Sequence, residues 1–282
     1  MRAILLWGIV LGIFSAQEAG RIGFSAEPFP EHLAFETVRT FSHPTDAYCQ
    51  GLFFERDEAT HQAVLYESCG QYGKSHLRVF DAETGKTIRE IRLPKKIFAE
   101  GLTVVGDEII QLTWREGIGY VWDKPTLKKK REFRYSTEGW GITFDGDAYI
   151  MSDGSAVLRR LAADDFRELG TLSVFYTAKS GEKRPLTAIN ELEWINGEIW
   201  ANIYQTPYVA RINVKTGEVI EFLNFKGFIP KGYEKDTERV LNGIAWDAAS
   251  GTIYVTGKNW PVAYELKVVN QAASVSSARG AK

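Results

Sequence analysis

The sequence has few of the residues that most often bind metal ions or form disulfides. Its 282 residues include 2 cysteines and 4 histidines. The histidines, which are His32, His43, His61 and His76, all precede residue 80 and lack the spacing of zinc ligands. The acidic residues are scattered, without the spacing of a calcium-binding loop. We therefore expect neither a histidine-rich zinc site nor a calcium site, and no cofactor.

Charge and short motifs exclude further classes. The formal net charge is −2, and the only dense basic run is residues 128–131 (KKKR), which we interpret as a solvated hairpin turn. Because phosphate backbones are bound by clustered Lys and Arg, nucleic acid is not an expected partner. The sequence also contains no Gly-rich phosphate loop ending in Lys-Ser/Thr and no Gly-x-Ser-x-Gly nucleophile motif.

The sequence begins with an apolar run, residues 3–14, which follows Arg2 and precedes small and polar residues. Its length suits a secretory signal, whose apolar core is about 7–15 residues, and falls short of the roughly 20 that span a bilayer. We predict a signal peptide over residues 1 to about 20. The mature protein is then exported, periplasmic or secreted, without a stable membrane span, and we expect a monomer. An uncleaved anchor stays open, since Ala16, Ala19 and Ala26 compete as cleavage sites.

The sequence does contain a repeat. Each copy begins with a polar or aromatic residue. The next position is usually Gly, the third is Leu or Ile, and two strand-forming positions follow. The copies are residues 50–54 (QGLFF), 100–104 (EGLTV), 140–144 (WGITF), 190–194 (NELEW) and 242–246 (NGIAW). The leading residues are 50, 40, 50 and 52 positions apart. Periods of this size are typical of β-propellers.

Further short apolar runs, separated by Gly-bearing turns, follow each copy of the repeat. Four strands repeated five times predict an all-β fold, a five-bladed β-propeller over residues 34–270. The fifth copy stops after three strands, and residues 35–41 alternate in the strand period before the first copy. We expect this N-terminal strand to complete the last blade, because an open sheet edge is a liability. Residues 175–186 and 225–239 are insertions that would shape a binding mouth, and residues 271–282 form a predicted disordered tail.

In a propeller, equivalent positions of the blades face one another around a central channel. Aligning the repeats places Gln50, Glu100, Trp140, Asn190 and Asn242 at one level, and Cys69, Trp114, Gly154, Tyr204 and Lys258 at a second. Aromatic walls with few polar groups are typical of a small-molecule site. Each residue also has an ordinary structural interpretation: Glu100 and the asparagines as partners of backbone amides, Lys258 as a solvated charge, and the tryptophans as packing between blades.

The two cysteines fall at the start of the first strand and the end of the second in one blade. Antiparallel neighbours bring such ends together, so a disulfide between Cys49 and Cys69 is geometrically plausible, and export would permit it. The alternative is two free thiols at the rim of the channel.

At these positions the sequence resembles the plant- and bacterial-type glutaminyl cyclases, which are glutaminyl-peptide cyclotransferases. The resemblance covers residues 35–268 and rests on residues 49–52 (CQGL), 65–68 (LYES), 70–73 (GQYG), 98–102 (FAEGL), 112–114 (LTW), 138–141 (EGWG), 151–155 (MSDGS), 190–193 (NELE), 200–202 (WAN), 241–244 (LNGI) and 256–260 (TGKNW). The sequence departs from the family at Tyr204, where Trp is usual, and at Cys49 and Cys69, where Thr is common.

The resemblance implies a five-bladed propeller that converts N-terminal glutamine of peptides or proteins to pyroglutamate, with release of ammonia and without a catalytic metal. It assigns the proton shuttle to Glu100. Substrate binding would fall to Gln50, Phe98, Trp114, Trp140, Asn190, Tyr204 and Lys258. Of these, the indole N–H groups of Trp114 and Trp140 and the Asn190 amide are candidates to stabilise the amide oxygen, with Lys258 and Gln50 orienting the amine or the peptide carbonyl. Which donor has which role does not follow from the sequence.

Two other classes remain as alternatives. The same ring of residues suits a non-catalytic propeller that binds peptides or glycans in its central pocket. A metal-dependent propeller hydrolase, such as a lactonase, is the third interpretation. Ammonia release from a Gln-initiated peptide, measured with and without chelator, separates the three.

Overall fold

The computed structural model describes residues 33–56 and 62–270. Within them, 22 strands form five four-stranded antiparallel sheets and one two-stranded hairpin. The predicted five-bladed β-propeller is confirmed. The predicted signal peptide at residues 1–20 and the predicted tail at residues 271–282 lie outside the described residues.

Each blade has its strands in chain order from the channel outward, except that the last blade takes its outer strand from the N-terminus. Blade 1 comprises β2 (Cys49–Arg56), β3 (Ala63–Cys69), β4 (His76–Asp81) and β5 (Thr87–Arg92). Blade 2 comprises β6 (Ala99–Val105), β7 (Glu108–Thr113), β8 (Ile118–Asp123) and β9 (Lys129–Arg134). Blade 3 comprises β10 (Ile142–Phe144), β11 (Ala148–Met151), β12 (Val157–Ala162) and β13 (Glu168–Ser173).

Blade 4 comprises β16 (Ile189–Ile195), β17 (Glu198–Ile203), β18 (Tyr208–Asn213) and β19 (Val219–Asn224). Blade 5 comprises β20 (Leu241–Asp247), β21 (Thr252–Gly257), β22 (Val262–Asn270) and β1 (Leu33–Ser42). The first insertion folds into a hairpin of β14 (Phe175–Thr177) and β15 (Lys183–Pro185). The second insertion contains a short 3₁₀ helix, Lys226–Phe228.

Burial falls from the channel to the rim of each blade. The innermost strand β6 is buried over all but its last residue, whereas the outermost strands β5 and β9 are mainly exposed. The interpretation of residues 128–131 as a turn is wrong, because Lys129 begins β9. The charged side chains of an outermost strand face water on both sides, so its sequence lacks the apolar alternation that marks inner strands. Lysines on such an edge also discourage pairing with other sheets.

The innermost strands approach one another so closely that the repeat requires glycine. A Cβ atom on Gly101 would lie 2.6 Å from the Trp140 carbonyl oxygen, and one on Gly141 would lie 2.1 Å from that of Asn190. Blade 4 has Glu191 at this repeat position instead of glycine. Its buried carboxylate accepts hydrogen bonds from the backbone N–H groups of Ile244, at 3.0 Å, and Leu52, at 3.4 Å. Glu191 therefore links three blades across the hub.

The ring closes where the N-terminal strand joins blade 5. Strand β1 pairs antiparallel with β22, and the chain then enters blade 1. The imidazole of His43 contacts the Trp260 carbonyl oxygen at 2.8 Å through Nδ1, and Glu67 Oε1 at 2.9 Å through Nε2. Arg78 donates to the other oxygen of Glu67. This buried cluster of His43, Glu67 and Arg78 joins the closing segment, blade 1 and the loop after β21.

The predicted disulfide is absent. Cys49 and Cys69 lie opposite each other on β2 and β3, but both are free, buried thiols. The Cys49 sulfur packs toward the hub, where a Cβ on Gly243 would approach it to 2.8 Å. Burial, followed by the nearby Glu67 carboxylate, raises the pKa of both thiols well above its usual value. Because the thiolate is the reactive form of cysteine, we expect these two thiols to be unreactive.

Candidate active site

The floor of the pocket is a chain of hydrogen bonds between innermost strands. Gln50 Nε2 donates to Glu100 Oε1 at 2.9 Å, and Asn242 Nδ2 donates to Gln50 Oε1 at 3.1 Å. Asn242 Nδ2 also donates to the Cys49 carbonyl oxygen at 2.9 Å. All three side chains are buried. The repeat places them together, since each follows the first residue of β2, β6 or β20.

One oxygen of Glu100 is held and the other is available. Oε1 accepts from Gln50, and within residues 33–56 and 62–270 no hydrogen bond to Oε2 is formed. Burial raises the pKa of Glu100 well above its usual value, Lys258 opposes that rise, and the carboxylates of Glu138 and Glu116 add to it. A raised pKa moves the ionisation of this carboxyl group toward neutral pH, where one group can both take up and return a proton.

Aromatic side chains form two adjoining wall sections. The rings of Phe98 and Trp114 have centroids 5.3 Å apart, and those of Trp140 and Tyr204 are 5.7 Å apart and nearly perpendicular. Trp114 directly follows β7 and Tyr204 directly follows β17. The ends of second strands therefore supply one ring of each pair, as the repeat alignment predicts, and the segments before first strands supply Phe98 and Trp140.

Lys258 closes the wall on its remaining side. Its ammonium lies 4.5 Å from the ring centroid of Tyr204 and 4.8 Å from that of Tyr48. Tyr48 in turn meets Phe98, with centroids 6.2 Å apart. Lys258 is buried, and burial lowers its pKa to about 8, against the opposing effect of Glu100. At neutral pH it therefore remains mainly an ammonium.

The two indole N–H groups do not face the pocket. Trp114 Nε1 donates to Glu138 Oε2 at 2.7 Å, and Trp140 Nε1 donates to the same oxygen at 2.9 Å. Glu138 therefore holds both of these candidate donors in this structure. Their acceptor, Glu138, is not among the predicted site residues. The N–H edges of both indoles therefore point at Glu138.

Asn190 lies in β16 and is 2% exposed. Its backbone carbonyl accepts a hydrogen bond from Ser152 Oγ at 2.6 Å, which fixes its position. Its side-chain oxygen Oδ1 is buried and has no hydrogen-bond partner within the described part of the chain. Because buried polar atoms are usually satisfied, this atom is prepared to accept a hydrogen bond from a ligand.

Tyr48 and Glu138 were not predicted as site residues, although the repeat contains the signal. Each lies two positions before a residue of the first predicted level, namely Gln50 and Trp140. Phe98 stands in the same relation to Glu100. Applying this register to every blade would have placed Tyr48, Phe98 and Glu138 together on the wall.

Neither a metal cluster nor a membrane-spanning helix occurs in the described ranges. Residues 33–56 and 62–270 contain no group of three His, Cys, Asp or Glu side chains placed to hold a metal ion. No helix in the same ranges is long and apolar enough to cross a membrane.

Known proteins are similar to this chain in sequence and in fold. Residues 6–268 match the family model described as glutamine cyclotransferase. The chain belongs to the glutamine cyclotransferase family. The glutaminyl-peptide cyclotransferase of Arabidopsis thaliana is 35% identical over 242 residues, which is 84% of this chain and 72% of that protein. The crystal structure of Myxococcus xanthus glutaminyl cyclase aligns with a TM-score of 0.75 at 33% identity, covering 86% of this chain and 99% of that chain. Both relatives are named for the activity that the sequence resemblance implies for the family.

Proposed function

We propose that the chain is a glutaminyl-peptide cyclotransferase, which converts the N-terminal glutamine of peptides or proteins to pyroglutamate and releases ammonia. Family membership supports the reaction class. The observation that carries the proposal within this chain is Glu100, a buried carboxyl group with one oxygen held by Gln50 and a raised pKa, inside a ring of aromatic side chains and Lys258.

The reaction needs one group that moves protons. The substrate α-amine attacks the carbon of its own side-chain amide, and a new carbon–nitrogen bond closes a five-membered ring. Glu100 Oε2 accepts the proton that the amine loses. The same proton then passes to the amide nitrogen, the old carbon–nitrogen bond breaks, and neutral ammonia leaves. Glu100 returns to its starting state, so neither an oxidant nor a second reactant is required.

The charge that develops on the amide oxygen needs donors. Because both indole N–H groups bind Glu138, the side chains that remain are the Lys258 ammonium and the Asn190 amide. We assign stabilisation of this oxygen to Lys258, with Asn190 binding the substrate backbone or amine. Donors that are fixed before the reaction act strongly in a pocket from which water is excluded.

Confinement supplies a further contribution. Both reacting groups belong to one residue, so acceleration comes from holding its folded conformer. The rings of Phe98, Trp114, Trp140 and Tyr204 would confine the substrate beside Glu100, which is itself buried. These four residues, with Gln50, Asn190 and Lys258, form the proposed substrate-binding set.

The Glu100→Gln variant tests the proposal. Gln is nearly the same shape but cannot accept the amine proton, so kcat for ammonia release from a Gln-initiated dipeptide should fall about 10²–10⁴-fold. Wild-type turnover should persist in chelator. The matched control is Glu193→Gln, which changes another buried hub carboxyl group outside the pocket and should leave kcat within about threefold.

Three outcomes would contradict the proposal. Normal turnover by Glu100→Gln would remove Glu100 as the proton carrier. Loss of wild-type activity in chelator would favour a metal-dependent hydrolase. Binding of Gln-peptides by the wild type without ammonia release would make the pocket a recognition site only.

A further inference from the structure

Glu138 connects two blades at the wall of the pocket. Its oxygen Oε2 accepts hydrogen bonds from Trp114, which follows β7 in blade 2, and from Trp140, which precedes β10 in blade 3. Its other oxygen, Oε1, accepts one from Arg115 Nε at 2.9 Å. One carboxylate thus binds the only polar side-chain atoms of two tryptophans that belong to different blades.

Each indole makes further contacts that limit its movement. A Cβ on Gly154 would lie 2.7 Å from Trp140 Cζ2, so the Trp140 ring rests directly on that backbone. The Phe98 ring lies 5.3 Å from the Trp114 ring, with their planes tilted by 60°, and the Arg115 guanidinium carbon lies 3.8 Å from the centroid of the Trp114 ring. The hydrogen bonds to Glu138 oppose rotation of either indole away from this arrangement.

We propose that Glu138 is a positioning residue, which holds the indoles of Trp114 and Trp140 so that their faces, and not their N–H edges, confine the reacting glutamine side chain. This inference rests on the proposed cyclotransferase function. Charge-assisted hydrogen bonds are shorter and stronger than neutral ones, so a carboxylate is the fitting acceptor for two indoles at once. Without it, each N–H would seek an acceptor in the pocket and its ring would follow.

The charge of Glu138 has a second consequence, at Glu100. Burial is the main cause of the raised pKa of Glu100, and Glu138 adds to it together with Glu116, whereas Lys258 lowers it. The other groups near Glu100 are neutral at physiological pH: the Gln50 amide and the phenols Tyr48, Tyr72, Tyr135 and Tyr204. Removal of the Glu138 charge should therefore lower the pKa of Glu100.

Two substitutions separate these effects. In Glu138→Gln the amide oxygen can occupy the place of Oε2 and accept from both indoles, but the charge is gone. In Glu138→Leu the shape is similar and the acceptor is gone as well. Arg115→Met is the control, because it removes the ion pair at Oε1, keeps an unbranched side chain over the Trp114 ring and leaves the carboxylate for the indoles.

We expect kcat/KM for a Gln-initiated dipeptide to fall about 10–100-fold in Glu138→Leu, mainly through kcat, because misplaced walls no longer favour the folded conformer. Glu138→Gln should stay within about fivefold of the wild type, and its acid limb should move to lower pH. Arg115→Met should stay within about threefold. Wild-type kinetics in Glu138→Leu would overturn the proposal, and so would an equal loss in Glu138→Gln.

Indole N–H resonances give a readout that does not depend on activity. The chain has 8 tryptophans, and the Trp114→Phe and Trp140→Phe variants identify the two relevant signals. Both should move upfield in Glu138→Leu and move less in Glu138→Gln. Unmoved signals in Glu138→Leu would refute the positioning role. If the wild type released no ammonia while these signals moved as expected, the proposed reaction would fail and the indole contacts would stand.

Discussion

At the scale of single residues, the pocket depends on small side chains behind its walls as much as on the walls themselves. Gly154 has a φ of +80°, and the Trp140 indole packs against its Cα. A side chain there would meet both a strained backbone and the ring. Gly146 lies in the same blade with a φ of +96°, and a Cβ on it would have no other atom within 4 Å. Both glycines therefore have a positive φ, but only Gly154 contacts a residue of the site, Trp140.

Gly154→Ala should impair catalysis, whereas Gly146→Ala should not. Both variants should lose about 1–2 kcal/mol of unfolding free energy, because a left-handed backbone is unfavourable for alanine. Only Gly154→Ala displaces Trp140, so its kcat/KM should fall about tenfold or more. Urea unfolding measures the loss of stability in each variant, and dipeptide turnover measures the change in kcat/KM. Equal activities in the two variants would show that the Trp140 ring tolerates displacement.

Much of the site could be predicted from the sequence, because equivalent repeat positions converge on one axis. Glu100, Gln50 and Asn242 meet through hydrogen bonds as their shared register indicates. The directions of the indole N–H groups could not be predicted in this way. They depend on side-chain torsions and on an acceptor, Glu138, whose reach is decided by the angle between blades 2 and 3. An alignment of the repeats shows which residues lie at the same level of the channel, but it contains no information on the angle between two blades.

At the scale of elements, the last blade is completed by the N-terminal strand. One ion pair acts across that junction, and a second lies beside it within blade 1. Arg39 on β1 pairs with Glu265 on β22 at 2.5 Å near the surface. The second pair is the fully buried Glu67 with Arg78, to which His43 from the closing segment adds a contact. Buried partners that lose each other leave an uncompensated charge, whereas surface pairs contribute little.

Glu67→Gln should therefore destabilise the protein far more than Glu265→Gln. We expect a loss of about 3–5 kcal/mol for the first, since Arg78 is left without its anion, and about 0–1 kcal/mol for the second. Burial favours the neutral acid, but Arg78 and His43 outweigh it and hold the pKa of Glu67 below its usual range. This stabilisation is present above the ordinary pKa near 4.5 and is lost as the pH falls toward the lower folded value.

The measurement is urea unfolding of both variants between about pH 3 and pH 7. The difference between the wild type and Glu67→Gln should narrow below about pH 4.5, where the unfolded chain takes up the proton. A difference that stayed constant with pH would mean that Glu67 acts by packing and not by charge.

Strand number and order were predictable because inner strands must bury apolar residues on a fixed period. The pattern weakens outward, and this explains the error at residues 128–131. Strand β9 is exposed at every position except Phe133, so its sequence resembles a charged turn. Backbone pairing with β8, which leaves no trace in side-chain polarity, makes it a strand.

At the scale of the whole molecule, the propeller carries carboxyl groups at its hub whose ionisation opposes folding. Glu191 occupies the repeat position of the hub glycines, and Glu193 lies two residues further along β16, bonded to the Trp246 N–H at 2.9 Å. Burial raises the pKa of Glu191 to about 8. Burial, and then the charge of Glu191, raise the pKa of Glu193 well above its usual value. The folded state thus binds protons at the hub that the unfolded chain releases.

Stability should therefore decline as the pH rises from about 4.5 to about 8, the window between the unfolded and folded pKa of Glu191. In this window the folded state binds more protons than the unfolded state, so the unfolding free energy falls by up to about 1.4 kcal/mol per pH unit for this group.

Glu191→Gln keeps an acceptor for the Ile244 N–H and has no proton to lose. Its unfolding free energy should depend less on pH than that of the wild type, and Glu191→Gln with Glu193→Gln should be flatter still. Together with Glu67, which favours folding only above acidic pH, these groups place the stability maximum on the acid side of neutrality. Parallel curves for the wild type and Glu191→Gln would show that the pKa of Glu191 is the same in the folded and unfolded states.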